Sequence, residues 1–345
     1  MNLFLPLILV RLLSPDQVGI YKIFFLYCST APWILMAAGL GNGLYYWAGQ
    51  NPELKTKAFR ATMTLQSLWS LLIILIGLIS VLILSNTQNS LFNLFPNQNY
   101  WLLLVFGIAL SIPGQFLEES QIASGRTKWA AWYSAGWEAI KTLSMMATAL
   151  HFRTSESIVI AFVLVVLGKV LTSLFILIAK KELHFELEKE ATTKVLKYAI
   201  PASAAAGFLV VINYCDQFIL THFLSAADFA IYSLGCLSVP PLLIFEQSVN
   251  KVLVPQMAHE ISNNHKANAL KRLRLAMVDL GLWLIPAAMG LLFFAGPITR
   301  MLFTNKYPMA ENYLQIYAFS YLVFIFPFDA WARSHGRSMW ILKTM

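Results

Sequence analysis

Three ionisable side chains stand deep inside two consecutive apolar stretches: Glu138 and Lys141 in Trp137-Glu-Ala-Ile-Lys141, and Lys169 in Leu167-Gly-Lys169. Glu138 and Lys141 are three residues apart, so a helix places them on one face. A short connection near His151 to Ser157 makes the two stretches antiparallel neighbours, which lets Lys169 compete with Lys141 for Glu138. Two ammonium groups against one carboxylate leave a surplus positive charge. Such a group costs about 2.5–3.5 kcal/mol in lipid on insertion scales, so it faces the protein interior or water. There it offers a point charge to phosphate oxygens. The plainer alternative makes both lysines structural, one paired and one snorkelling to the interface. Lys22, near the end of its own stretch, either anchors at the interface or joins the same anion site.

Other residues suggest coupling rather than binding. Asp216 in Asn213-Tyr-Cys-Asp216 and Glu246 in Leu243-Ile-Phe-Glu246 could carry a proton or coordinate Na⁺, and Glu138 joins them as a gating candidate. Asp216 serves equally well as a hydrogen bond between helices. Glu118 and Glu119 are expected to pair with Arg126 and Lys128 nearby in the chain. Pro240 and Pro241 fall inside a stretch and make the best hinge candidate. Trp101, Trp129, Trp132 and Tyr133 read as interface-belt residues, with sugar stacking as the alternative. No catalytic carboxylate pair, phosphate-cradling glycine loop, metal-ligand cluster or nucleophile triad stands out, so the expectation is a non-enzymatic protein without cofactor or metal.

The elements that must position these groups are membrane helices. Hydrophobic residues make up 58% of the 345-residue chain and charged residues 12%, about half the soluble share. From Ala61 to Leu117 there is no Asp, Glu, Lys, Arg or His. The bilayer is therefore the solvent. Cys28, Cys215 and Cys236 lie in apolar segments, which argues against a disulfide framework. The net charge of +8 sits in short loops, which points to topology rather than nucleic acid.

Apolar runs predict helices near 19–49, 62–85, 100–122, 129–150, 158–179, 199–222, 230–253, 276–298 and 313–332. The run Leu3 to Leu13 is too short to cross alone and reads as the second half of a helix, giving about ten segments. Alternate loops carry seventeen Lys or Arg residues against four on the other side. The positive-inside rule then makes loops 50–61, 123–128, 180–198 and 254–275 cytoplasmic. The stretch 180–198 mixes Lys and Glu with Leu and Phe, as an interfacial helix would.

Ile8-Leu9 to Ile20-Tyr21 returns as Ile219-Leu220 to Ile231-Tyr232, with Leu13-Ser14 matched by Leu224-Ser225. The repeat predicts an all-α polytopic protein of two pseudo-symmetric lobes. Residues 1–179 form a six-helix lobe, 180–198 a linker, and 199–345 an incomplete second lobe of four helices.

These residues also carry a family resemblance. Arg11-Leu-Leu-Ser-Pro-Asp-Gln-Val-Gly-Ile-Tyr21, Gly39-Leu-Gly-Asn42 and Asn213-Tyr-Cys-Asp-Gln-Phe-Ile-Leu220 resemble Wzx-like polysaccharide-export flippases. Val254-Pro255 and Phe303-Thr-Asn-Lys-Tyr307 add to the likeness. These flippases belong to the multidrug/oligosaccharidyl-lipid/polysaccharide (MOP, MATE-like) exporter superfamily. The resemblance implies lobes that flip a polyprenyl-diphosphate-linked oligosaccharide outward across the cell inner membrane by alternating access. Lys141, Lys169 and Lys22 would then meet the diphosphate, with an H⁺ or Na⁺ gradient as the driving force. The chain departs from the family pattern in its short first helix and in stopping after the tenth segment. Two other functions fit the same features: a cation-coupled drug or metabolite exporter of the superfamily, and a membrane glycosyltransferase or polymerase acting on the lipid carrier.

Overall fold

The computed structural model of the chain describes residues 4–48, 52–85, 94–180, 182, 184–236, 239–327, 330–331 and 334–335. Lys181, Arg333, Arg337 and Lys343, counted above among the loop charges, lie outside them. Every regular element among the described residues is helical, as the sequence predicts. The chain divides into two compact units, Met1–Ala230 and Ile231–Met345.

In the first unit, α1 (Phe4–Leu12) and α2 (Pro15–Ile34) meet at the Leu13-Ser14 turn. Pro15 occupies the first turn of α2, where its missing N–H costs nothing. The turn recurs where α9 (Lys189–Phe223) ends and α10 (Ala226–Gly235) begins, with both helix ends displaced by 211 residues. Ser225 caps it, accepting the Asp228 N–H at 3.2 Å and donating its hydroxyl to the Asp228 carboxylate at 2.6 Å. The two turns pack directly on one another. A Cβ at Gly19 would lie 1.7 Å from the Ala226 carbonyl oxygen, so only glycine admits this approach.

After Ile34 the chain breaks before α3 (Leu40–Ala48). Met36 takes the left-handed conformation, and the N–H groups of Ala37 and Ala38 both donate to the Pro32 carbonyl at 2.9 Å. The indole N–H of Trp69 donates to the Leu35 carbonyl at 3.0 Å. These bonds satisfy backbone groups that a break inside a membrane would otherwise leave bare. Then come α4 (Pro52–Ser85), α5 (Gln98–Ser111), α6 (Pro113–Ala123), α7 (Thr127–Phe152) and α8 (Ser155–Ala179). Ile112 and Pro113 interrupt one apolar stretch of 26 residues, making α5 and α6 two parts of a single span. Only Arg153 and Thr154 separate α7 from α8, which pack as the antiparallel neighbours expected.

The linker departs from expectation. Residues 184–188 are not an interfacial helix, and α9 starts at Lys189 and runs unbroken through Pro201. The reason is local charge pairing. Glu186 meets Arg60 at 2.6 Å and Glu188 meets Lys57 at 2.8 Å, both on α4. The Glu186 N–H donates to the Thr64 hydroxyl at 3.1 Å. These contacts hold the backbone extended along α4 and bring loops 50–61 and 180–198 together. Within this unit α9 packs against α2, α3 and α4.

The second unit is built on α11 (Pro240–Ser262) against α12 (Lys266–Phe293), with Leu253, Met257 and Ala269 in its core. It continues through α13 (Ala295–Phe303), α14 (Ala310–Ala318) and the single turn α15 (Ser320–Val323). The Tyr321 hydroxyl accepts the Val239 N–H at 2.7 Å and fixes the entry to α11. Pro240 and Pro241 sit in the first turn of α11, where proline is tolerated, so they start a helix rather than kink one. A bend of 50° separates α10 from α11.

Five helical stretches among the described residues are long and apolar enough to cross a membrane, or six with the bent α10–α11 pair. The ten expected segments are not reached on that criterion. The α2 stretch is broken after Ile34, α7 carries a polar face, and α14 is nine residues long.

Replacing Gly19 with Val tests the packing of the two repeated turns. Overpacking of this kind costs about 1–3 kcal/mol. Thermal unfolding in detergent, followed by size-exclusion chromatography, should show a midpoint several degrees lower. An unchanged midpoint would remove the contact from the fold.

Candidate functional site

A cavity of about 540 Å³ opens inside the first unit. Helical periodicity explains which side chains reach it. From α2 come Lys22, Phe25, Ser29 and Trp33, spaced at turn intervals along one face. From α7 come Trp137, Glu138, Lys141 and Thr142, and from α8 Phe162, Val166 and Lys169. Tyr214 and Gln217 of α9 complete the wall. Lys141 stands about 20 Å along α7 from its first residue, counted at the helical rise, so the site lies at membrane depth.

All three sequence-derived lysines therefore converge on one cavity, with Glu138 beside them. Their pairing differs from the expected competition for Glu138. The Lys141 ammonium donates to Glu138 at 2.6 Å along its own helix. Lys169 instead donates to Glu118 of α6 at 3.5 Å. It also lies 5.9 Å from the centre of the Tyr133 ring, within cation–π range. Glu118 and Glu119 are thus not partners of Arg126 and Lys128. The α6 helix aims both carboxyls back into the bundle, and Glu119 is buried, accepting from the Gln66 amide at 2.8 Å. Chain proximity suggested the wrong partners. The signal that could have found the right ones is the span itself, because 118 and 119 fall inside its predicted bounds.

Lys22 makes no salt bridge among the described residues. Lys141 and Lys169 each meet a carboxylate, whereas Lys22 lines the cavity without one among the described residues. The sequence expectation of a surplus on Lys141 or Lys169 is not what the pairing shows, since each of them has its own carboxylate. Of the other candidates, Asp216 is exposed on α9 and is not part of the cavity wall, although Tyr214 and Gln217 are. Glu246 belongs to the second unit, where it accepts from the Asn250 amide one turn on.

Trp129 and Tyr133, read from sequence as belt residues or sugar platforms, form a run with Trp137, which that reading did not include. Trp129 stacks on Tyr133 with ring centres 5.0 Å apart, and Tyr133 meets Trp137 edge-on at 6.3 Å. The spacing i, i+4, i+8 aligns them on one face of α7, leading from its first turn to the cavity wall.

A profile of polysaccharide biosynthesis proteins matches residues 8–311, most of the chain and both units. The chain belongs to that family. Among solved structures it is similar to an inward-facing multidrug resistance MATE family transporter of the MOP superfamily. The TM-score is 0.56 at 14% identity, over 98% of this chain and 81% of the other. At that identity the likeness concerns the fold. No curated protein matches the chain in sequence. The chain is thus a polysaccharide biosynthesis family protein with several helices apolar enough to cross a membrane and a fold like that of the MATE transporter.

The Glu118–Lys169 bridge joins α6 to α8 with both side chains largely shielded. A double-mutant cycle with Glu118→Gln and Lys169→Gln should give a coupling of about 1 kcal/mol, inside the range for contacting residues. The measurement is thermal stability in detergent of the four proteins. Strictly additive effects would dissolve the pair.

Proposed function

We propose that this exporter flips an anionic, polyprenyl-diphosphate-linked oligosaccharide outward across the inner membrane by alternating access, for surface polysaccharide assembly. The observation that carries this reading is the convergence of Lys22, Lys141 and Lys169 on a single cavity, where Lys22 meets no carboxylate among the described residues. Phosphate oxygens are the natural partners of ammonium groups held as point charges. A cavity of about 540 Å³ falls in the range of small-ligand sites, enough for a diphosphate and its first sugar. The lipid tail needs no pocket of its own, because the bilayer accepts it. The aromatic run on α7 offers apolar ring faces to the C–H surface of sugars on the way to the charged site. A cationic drug would meet repulsion here, which weighs against the drug-exporter alternative. The excess of Lys and Arg in loops 50–61, 123–128, 180–198 and 254–275 supports a cytoplasmic entry side.

The test is flipping of a fluorescent polyprenyl-diphosphate oligosaccharide in proteoliposomes. Lys141→Gln combined with Lys169→Gln should slow flipping at least about tenfold, the loss of one charge-assisted contact or more. Membrane abundance should be unchanged. Lys22→Gln alone should lower the rate severalfold. Wild-type flipping in the double variant would overturn the assignment.

A further inference from the structure

Glu119 takes no part in the cavity wall, yet it is the most enclosed carboxyl group described in the first unit. It is 7% exposed, within the span formed by α5 and α6. Gly41 of α3 presses on it so closely that a Cβ there would come within 2.4 Å of all three carboxyl atoms. Among the described residues its one hydrogen-bond donor is neutral, the Gln66 amide of α4. No salt bridge reaches it among the described residues, and Lys169, the cation whose field it feels, is bonded to Glu118. An ionised carboxylate so placed would carry a penalty that one neutral donor does not offset.

The surroundings suit an added proton. Gln66 is 1% exposed, and its Oε1 has no partner, although the same amide donates to Glu119. One turn earlier on α4, the Thr62 hydroxyl is also buried and unpartnered. A primary amide both donates and accepts. It can therefore serve the carboxylate through its N–H, and the carboxylic acid through its oxygen after a half-turn of the amide. A lysine or arginine in its place would hold Glu119 permanently charged.

We infer that Glu119 is a proton-binding site whose occupancy sets the net charge of the cavity. The groups facing it support a direct electrical link. From α8 comes Lys169, from α6 itself Glu118, and from α4 the neutral Gln66 and Thr62. Neither α3 nor α5 carries an acidic or basic residue, the Glu138 and Lys141 of α7 bond each other, and Lys57 and Arg60 of α4 meet Glu188 and Glu186. With Glu119 protonated, the local count is three lysines against Glu118 and Glu138, one positive. With Glu119 ionised, a further negative charge competes with Glu118 for Lys169, and the count falls to zero. Proton and anion then favour each other's binding, and the linkage is reciprocal.

This inference rests on the anion-binding reading of the cavity, so its test has two independent readouts on the full chain in lipid nanodiscs. The first is the infrared carbonyl stretch of a protonated carboxyl group at neutral pH. It should be present in the wild type and lose one group's intensity in Glu119→Gln. The second is equilibrium binding of 1-naphthyl sulfate, whose charge is constant from acid to mildly alkaline pH. The wild type should bind it about tenfold more weakly once Glu119 ionises, as one charge at cavity distance would produce. Glu119→Gln should keep the tighter, low-pH affinity throughout. Gln66→Met, which removes the amide donor, should move the midpoint to higher pH. Identical infrared spectra, or an unchanged pH dependence in Glu119→Gln, would overturn the proton site. Failure of the sulfate to bind at any pH would instead overturn the anion cavity and leave the infrared result to decide Glu119.

Discussion

A charge at membrane depth must be paired, hydrated or neutral, and this requirement organises the first unit. Lys141 meets it within its own helix, through Glu138 one turn away. Lys169 meets it across helices, through Glu118. Glu119 has no cation of its own and depends on an amide. Lys22 meets it through the cavity it lines. The two kinds of pairing have different structural consequences. A bridge along one helix asks nothing of the neighbours. A bridge between α6 and α8 holds only while those helices stay packed, so the charges also act as clamps.

Backbone hydrogen bonding imposes a second constraint that bears on the same place. The break after α2 leaves carbonyls that lipid cannot satisfy, and Trp69 reaches across from α4 to serve the one at Leu35. Pro32 and Trp33, just before that break, line the cavity, as do Ser111 and Gly114 around the Pro113 interruption of α5 and α6. Irregular backbone is tolerated in a membrane where it borders a cavity or lies within protein. The cavity and the interruptions are consequently one feature.

Much of this was legible in the chain, and the part that was not has a common cause. Long apolar runs marked the helices, and the Ile-Tyr repeat marked two turns whose helix ends coincide at one offset. Lys141 and Lys169 could be assigned to neighbouring helices because only a short turn joins them. Glu118 was misassigned because its partner lies 51 residues away, on a helix that no local pattern ties to α6. The linker misled for a similar reason. Its mixed charges resemble an amphipathic helix, and nothing in 180–198 reveals that Arg60 and Lys57 wait on α4. Periodicity reports which face of an element is buried, whereas the identity of the facing residue is set by tertiary packing.

The segment α2–α3 joins these threads. At one end Gly19 admits the first turn of α10, and at the other Gly41 rests on the carboxyl of Glu119. Between them the segment carries Lys22 into the cavity and contains the break at Leu35–Gly39. Neither glycine contact has slack, since any side chain would collide with what it touches. A displacement of α2–α3 that loosened one contact would therefore be felt as a change in packing at the other, unless the break absorbed it. Charge, cavity and helix break thus meet on one element, and a movement of that element would alter the exposure of Lys22 and the enclosure of Glu119 together.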